Sequence, residues 1–377
     1  MKKVCFIASS PIGIVSFHKT NFEQIAKEYD VYVIANFEDK TVFEGLQIVD
    51  AFPVHIARKP TIISNIKALI AMHRIFKQQR FDCFVSQTSN ASLLASIAGF
   101  SVVPHRIRIF TGQLWANMHG AKRLFFQTID RITIALNTDI LVDGRPQRQY
   151  LIENGIIRYG QGTVLANGSI CGVDTTLFAP NEETRRRERN KIGVTDDDTV
   201  VFTFMGRVNR DKGIFELLEA ANRLFAGTDN AVLVLIGNME GLTTSVLTQY
   251  SNLHIGKNVI LYGFTKEPYN ALQLSDIFCL PSYREGFGMS VIEAASLSLP
   301  VICSDIYGLQ DSFIPDVTGL QCKVKDIDSL YNCMKLLCEN KTLRLKLGTN
   351  GRKRVMEKFN KEIVSTAWLQ YLRNLLT

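Results

Sequence analysis

The chain has no run of eighteen or more apolar residues, so nothing in it reads as a helix that spans a bilayer. Its eight cysteines are scattered and none forms a Cys-x-x-Cys pair, which excludes the common zinc and dithiol frameworks. Several of them (Cys5, Cys83, Cys279, Cys303) lie inside apolar runs, where they read as reduced, buried thiols of a cytoplasmic protein. Zinc-finger spacing and an RNP-type strand are also missing, so a nucleic-acid partner is not expected. Neither half opens with G-x-G-x-x-G and an acidic residue some twenty positions later, which argues against a nicotinamide dehydrogenase. No internal repeat or low-complexity tract is present.

What the chain does have is apolar content: 46% of its 377 residues are hydrophobic and only 21% charged, enough for two ordinary cores. The net charge of +7 is uneven, because residues 1–176 hold 19 Lys+Arg against 13 Asp+Glu and the remainder is nearly balanced. A basic first half suits a phosphate-bearing ligand or an anionic membrane. The opening MKKVCFIASSPIGIVSF has the charge pattern of a signal peptide. Pro11 and Gly13 interrupt it and no A-x-A site follows, so it reads as a buried first strand and a turn.

From there short apolar runs alternate with amphipathic segments. Strands are expected at Val4–Ala8, Val31–Ala35, Cys83–Ser86, Arg106–Phe110, Ile140–Val142 and Thr163–Leu165, with helices near 19–28, 62–79, 91–99, 120–136 and 145–154. This alternation specifies a parallel, doubly wound α/β sheet. It breaks after Asp174, and 177–198, rich in charges of both signs, reads as a linker. The grammar restarts with strands at Thr199–Met205, Ala231–Ile236, Val259–Tyr262, Ile277–Leu280 and Val301–Ser304. The expected organisation is therefore an N-terminal Rossmann-like domain (1–176), a second one (199–360) and a closing helix (361–377) that packs back on the first. Open α/β sheets bind ligands beyond the carboxyl ends of their strands, so the chemistry is expected in a cleft that the two domains face.

The strongest local signal is Glu285-Gly286-Phe287-Gly288-Met289-Ser290, set between a strand-like IFCLPS and a helix-like VIEAASLSL. Two glycines in a strand-to-helix turn admit a ligand close to the backbone, and the helix start offers N–H groups to an anion. Glu293 falls one turn into that helix, at reach of a ribose diol, and Glu285 precedes the turn. A second signal follows the first strand of this half: Gly206-Arg207 and then Lys212-Gly213, two cations able to meet one diphosphate. Each residue alone reads equally well as solvated surface; their joint placement points to a nucleotide site.

Together with Leu299-Pro300-Val301 and Thr318-Gly319-Leu320, these motifs resemble family 4 of the retaining glycosyltransferases, the glycosyl transferases group 1 of GT-B fold, and most of all its bacterial capsule and O-antigen branch. The resemblance implies that Arg207 and Lys212 bind the donor pyrophosphate, Glu285 meets the donor sugar, Glu293 holds the ribose, and the amides of Phe287 to Ser290 line the phosphates. It places Phe264 near the nucleobase and a glycine loop carrying Gly13 at the donor phosphates. Where many relatives carry a histidine after a middle strand, this chain has Thr111-Gly112-Gln113, which leaves Thr111, Gln113, His18 and His119 as candidates for acceptor or sugar contact. The resemblance implies that no metal or cofactor is needed, and no DxD element stands out in the chain.

The implied activity is metal-independent, retaining transfer of a hexose or N-acetylhexosamine from a UDP-sugar to a polyprenyl-diphosphate-linked saccharide. It is expected in the cytoplasm, at the inner face of the membrane. A sugar-nucleotide epimerase of the same fold and a non-catalytic nucleotide-sugar-binding subunit of a polysaccharide assembly complex are the alternatives. Two basic amphipathic segments, Ile62–Gln79 and Ala121–Leu136, are candidates for peripheral contact with an anionic bilayer.

Overall fold

The computed structural model describes residues 1–57 and 61–377. The chain forms two compact units, Met1–Gly172 with Lys361–Thr377, and Val173–Asn360.

In the first unit, β1 (Lys2–Ile7), α1 (Pro11–Ile25), β2 (Tyr29–Ala35), β3 (Asp50–Pro53), α2 (Ile62–Gln79), β4 (Cys83–Ser86), α3 (Ser89–Gly99), β5 (His105–Phe110), α4 (Gly120–Ala135), β6 (Asp139–Val142), α5 (Arg145–Glu153) and β7 (Thr163–Val164) follow one another. The strands build a parallel sheet of order β3-β2-β1-β4-β5-β6-β7. The middles of such strands are apolar because helices cover both faces: Val4 to Ile7 of β1 are inaccessible to solvent. α1 begins eight residues earlier than its apolar spacing suggests, because Pro11 is well placed in a first helical turn. Gly13 therefore sits inside α1 and not in a loop, and the turn after β1 shrinks to Ser9-Ser10.

The second unit opens with α6 (Glu182–Lys191) and continues through β8 (Val200–Met205), α7 (Ile214–Phe225), β9 (Ala231–Ile236), α8 (Thr244–Leu247), β10 (Val259–Gly263), α9 (Pro268–Ala271), β11 (Ile277–Leu280), α10 (Met289–Ser296), β12 (Val301–Ser304), β13 (Gly319–Cys322), α11 (Ile327–Glu339) and α12 (Lys341–Lys358). Its parallel order is β10-β9-β8-β11-β12-β13. The strand order reverses between β8 and β11, where the two outgoing loops diverge and leave a crevice.

Residues 177–198 are not a free linker. α6 is docked on the second unit by ions rather than apolar groups: Arg185 Nη2 and Arg189 Nη1 lie 2.6 and 3.1 Å from the two oxygens of Asp276, and the buried Glu188 accepts from Tyr262 Oη at 2.9 Å. A helix held by charges has no apolar stripe, which is why its composition reads as solvated. The final helix, α13 (Lys361–Leu376), packs against α1 of the first unit. Its Trp368 is fully buried there and donates from Nε1 to the Ile170 carbonyl at 2.8 Å.

Candidate nucleotide site at the switch point of the second unit

The loop after β8 and the loop after β11 are pressed together by a glycine. Gly213 has φ +70°, and a Cβ there would fall 2.0 Å from the Pro281 carbonyl oxygen, so any larger residue would force the loops apart. The Tyr283 amide closes the contact by donating to the Asp211 carbonyl at 2.8 Å. The consequence is a three-residue cluster. Lys212 Nζ forms an ion pair with Glu285 Oε1, and the buried Ser282 hydroxyl donates to the same oxygen at 2.8 Å. Gly308 backs this carboxylate's main chain, since a Cβ there would meet the Glu285 carbonyl oxygen at 2.1 Å.

α10 starts directly after this cluster. Its N-cap is Gly288, in the left-handed region at φ +80°, and no side chain caps the helix. An uncapped helix start carries the positive end of the helix dipole and suits an anion. Of the residues named from the sequence here, Gly286, Met289 and Ser290 are half-buried, whereas the Phe287 ring turns into the core against Phe359, 5.3 Å between centroids. Only the backbone of Phe287 is therefore available to a ligand.

Glu293 is half-buried on the second turn of α10, and its carboxyl makes no hydrogen bond or ion pair among the described residues. Desolvation pushes its pKa up to about 7, the signature of a carboxylate that awaits a partner. The raised value means that folding favours the protonated form, so its contribution to stability is full below pH 4.5 and is lost as pH rises towards about 7. Glu293→Gln is accordingly expected to raise the melting temperature above pH 7 and to change it little near pH 4.5, while nucleotide affinity falls; melts at both pH values check this.

Arg207 and Phe264 stand apart from the cluster. Arg207 is exposed and its Nη1 lies 3.3 Å from Glu240 Oε2, an oxygen that Asn209 Nδ2 also approaches at 3.3 Å. Gly206 follows β8 directly, its N–H bonded to the Ile236 carbonyl at 2.9 Å. Phe264 projects its ring into solvent just beyond β10. Sequence reasoning missed Ser282 and Glu240: Ser282 was legible as a hydroxyl three residues before Glu285, but Glu240 comes from the loop after β9 and gives no local signal.

In the first unit the candidates are spread. His18 is buried against Phe6 and Phe22, and Asn21 Nδ2 points at its Nδ1 (3.4 Å), so Nε2 carries the proton and donates to Gln87 Oε1 at 3.0 Å. Burial lowers its pKa to about 4, so it is neutral at physiological pH. Ser9 Oγ and Thr88 Oγ1, from the turns after β1 and β4, are 2.7 Å apart, and Gly13 leaves room beside the buried Gln87 amide. Thr111 is half-buried and Gln113 buried just beyond β5, while His119 is exposed ahead of α4. Where the resemblance leads one to look for a histidine, β5 instead supplies Arg108, which is buried, ion-paired with Asp130 and stacked over Phe110 at 4.1 Å.

Among the described residues, no group of three or more His, Cys, Asp or Glu side chains is placed to hold a metal ion. Among the described residues, no helix is long and apolar enough to cross a membrane.

Known proteins resemble this chain in sequence and in fold. Residues 184–354 match the family model of glycosyl transferases group 1. The capsular polysaccharide biosynthesis glycosyltransferase CapM of Staphylococcus aureus is 27% identical over 340 residues, 90% of this chain and 88% of that protein. The UDP-Gal:alpha-D-GlcNAc-diphosphoundecaprenol alpha-1,3-galactosyltransferase of Escherichia coli is 24% identical over 81% of this chain and 78% of its own length. Among solved structures, sucrose-phosphate synthase from Thermosynechococcus elongatus superposes with a TM-score of 0.83 at 18% identity, covering 100% of this chain and 99% of that one. The two parallel sheets are thus the GT-B fold, and the second unit of this chain is a glycosyltransferase group 1 domain.

Proposed function

We propose that this chain moves a hexose or N-acetylhexosamine from a UDP-sugar to a polyprenyl-diphosphate-linked saccharide, with retention of anomeric configuration and without a metal ion, in capsule or O-antigen synthesis. The observation that carries this reading is the Lys212–Glu285–Ser282 cluster beside the uncapped start of α10. The relatives add support, because the E. coli protein is named for a UDP-sugar donor and a diphosphoundecaprenol acceptor.

In this reading the donor diphosphate lies on the first turn of α10 and draws Lys212 from Glu285 to itself. Arg207 swings from Glu240 to the same phosphates, Phe264 stacks on the base and Glu293 accepts from the ribose hydroxyls. Glu285, still held by Ser282, turns its free oxygen to the sugar. The bond from the anomeric carbon to the phosphate oxygen then breaks as the acceptor hydroxyl attacks on the same face. The departing phosphate oxygen takes the hydroxyl proton, so no side chain has to act as base. Charge that grows on the leaving diphosphate is met by the lysine, the arginine and backbone N–H groups. The first unit, with Thr111 and Gln113 beyond β5, is assigned the acceptor.

The test is UDP release from a panel of UDP-sugars, with and without a polyprenyl-diphosphate-linked saccharide, in excess chelator. Release that depends on the acceptor and survives the chelator is expected. Turnover without acceptor would favour an epimerase or hydrolase, and donor binding without turnover a non-catalytic subunit; either result overturns the reading.

A further inference from the structure

Residues 281–288, which join β11 to α10, form neither helix nor strand, yet they carry Glu285. A carboxylate on irregular backbone keeps one position only if the surroundings tie that backbone down. Ser304 Oγ, at the end of β12, donates to the Ser282 carbonyl, and Gly308 backs Glu285 itself. The other ties run to the stretch 211–216, which leads from Lys212 into α7. Asp211 receives the Tyr283 amide on its carbonyl, and its Oδ2 lies 3.1 Å from Arg284 Nη2.

The Tyr283 side chain makes a further tie. Its Oη donates to Glu216 Oε1 at 2.5 Å, and Lys325 Nζ lies 4.7 Å from the centre of its ring, so both the hydroxyl and the ring are held. Burial, and after it the bond to Glu216, raise the pKa of the phenol, which therefore stays a hydrogen-bond donor at physiological pH. Glu216 stands four residues after Lys212, in the first turn of α7. Its Oε2 is inaccessible to solvent and makes no hydrogen bond among the described residues. The helix dipole favours a carboxylate in a first turn whether or not it faces water. Burying one of its oxygens without a partner works against stability, and what the arrangement gains is a fixed phenol.

We infer that Tyr283 is a positioning residue for sugar transfer: bound to Glu216, it fixes Glu285, two residues further on, where that carboxylate can meet both Lys212 and the donor sugar. Tyr283 itself touches no substrate. Lys212 and Glu216 share one short stretch of chain, Tyr283 and Glu285 another, so the bond between phenol and carboxylate sets the spacing between Lys212 and Glu285. The inference rests on the transfer reading and deepens it.

The test compares the full chain with Tyr283→Phe, Glu216→Ala and Glu216→Gln, by acceptor-dependent UDP release and by calorimetric affinity for UDP alone. Tyr283→Phe keeps the ring beside Lys325 and loses only the hydroxyl. Its kcat should fall about 10- to 100-fold, the effect of a displacement of about 1 Å at a reacting group, while UDP affinity stays native because no nucleotide contact is removed. Glu216→Ala should show the same split, and combining it with Tyr283→Phe should slow turnover no further, since both break one bond. Glu216→Gln still offers the phenol an oxygen and should stay close to native in both measurements.

Native turnover in Tyr283→Phe would overturn the inference. So would a loss of UDP affinity that matches the loss of kcat, because the tyrosine would then only keep the site folded. Glu216→Gln as slow as Glu216→Ala would contradict it as well, since the bond survives that change. A native chain that releases no UDP with acceptor present overturns the transfer reading and this inference with it, whereas sugar transfer undiminished in Tyr283→Phe overturns this inference alone, so the two failures are told apart.

Discussion

Lys212→Ala is expected to lower turnover about 10²- to 10³-fold, the usual cost of removing one fixed donor from developing charge, with the fold intact. The fold should survive because the half-buried Glu285 carboxylate is not left without a partner. Ser282 still holds the carboxylate after the substitution. The loss should fall mainly on the chemical step, since the leaving diphosphate carries more charge than the bound donor does. Steady-state kinetics therefore distinguishes two roles: a large fall in kcat means that Lys212 meets leaving-group charge, whereas a rise in KM alone would mean that it only helps to hold the donor. Arg207→Ala should cost less, because Arg207 is far more exposed than Lys212 and its charge is screened by solvent.

The second large effect is on stability. Asp130→Ala is expected to destabilise the first unit by about 3–5 kcal/mol, because it leaves a buried charge without its partner. The Arg108 guanidinium and the Asp130 carboxylate are both almost inaccessible, and Trp115 Nε1 donates to the second carboxylate oxygen at 2.7 Å. The substitution thus strands a cation and an indole N–H together. A fall of roughly 6 °C or more in the melting temperature should follow, with Gln113 displaced from its position beyond β5 as the turn that holds Trp115 loosens. The double variant Arg108→Met/Asp130→Leu should recover much of the loss, since it removes the charge as well as its partner. Calorimetry on the three proteins measures this; a double variant no more stable than Asp130→Ala would show that shape, not charge, is what the pair contributes.

The same pair marks where the sequence could and could not be read. The alternation of apolar runs was enough to identify two parallel sheets, because the buried middles of parallel strands are mostly apolar. Short edge strands can: Asp50–Pro53 and Gly319–Cys322 have four residues each and no apolar run, and neither is recognisable before its neighbours are in place. α6 is invisible for the opposite reason, since its anchors are arginines paired with Asp276.

The candidate site was legible where chemistry is local. Glu285, the glycines after it and the start of α10 lie within a dozen residues, and Lys212 stands beside a glycine that only a close approach explains. What escaped was everything that depends on the third dimension: Glu240 reaching Arg207, Ser282 turning towards Glu285, and Gly13 lying within α1. α2 adds a further lesson. Its pattern gives a broad apolar surface, of which the fold packs Ala68, Met72 and Phe76 with Leu69 and Ile75 against the core and leaves Ile62, Ile63, Ile66 and Ile70 exposed.

The central claim is that a sugar is moved from nucleotide to acceptor at the β8/β11 loops. The most direct measurement is the mass of the polyprenyl-diphosphate-linked saccharide after incubation with UDP-sugar and either the native chain or Glu285→Ala. The account predicts an increment of one hexose or N-acetylhexosamine with the native chain and none, or very little, with the variant. An unchanged acceptor mass while the nucleotide sugar is consumed, or an increment that survives Glu285→Ala undiminished, would contradict it.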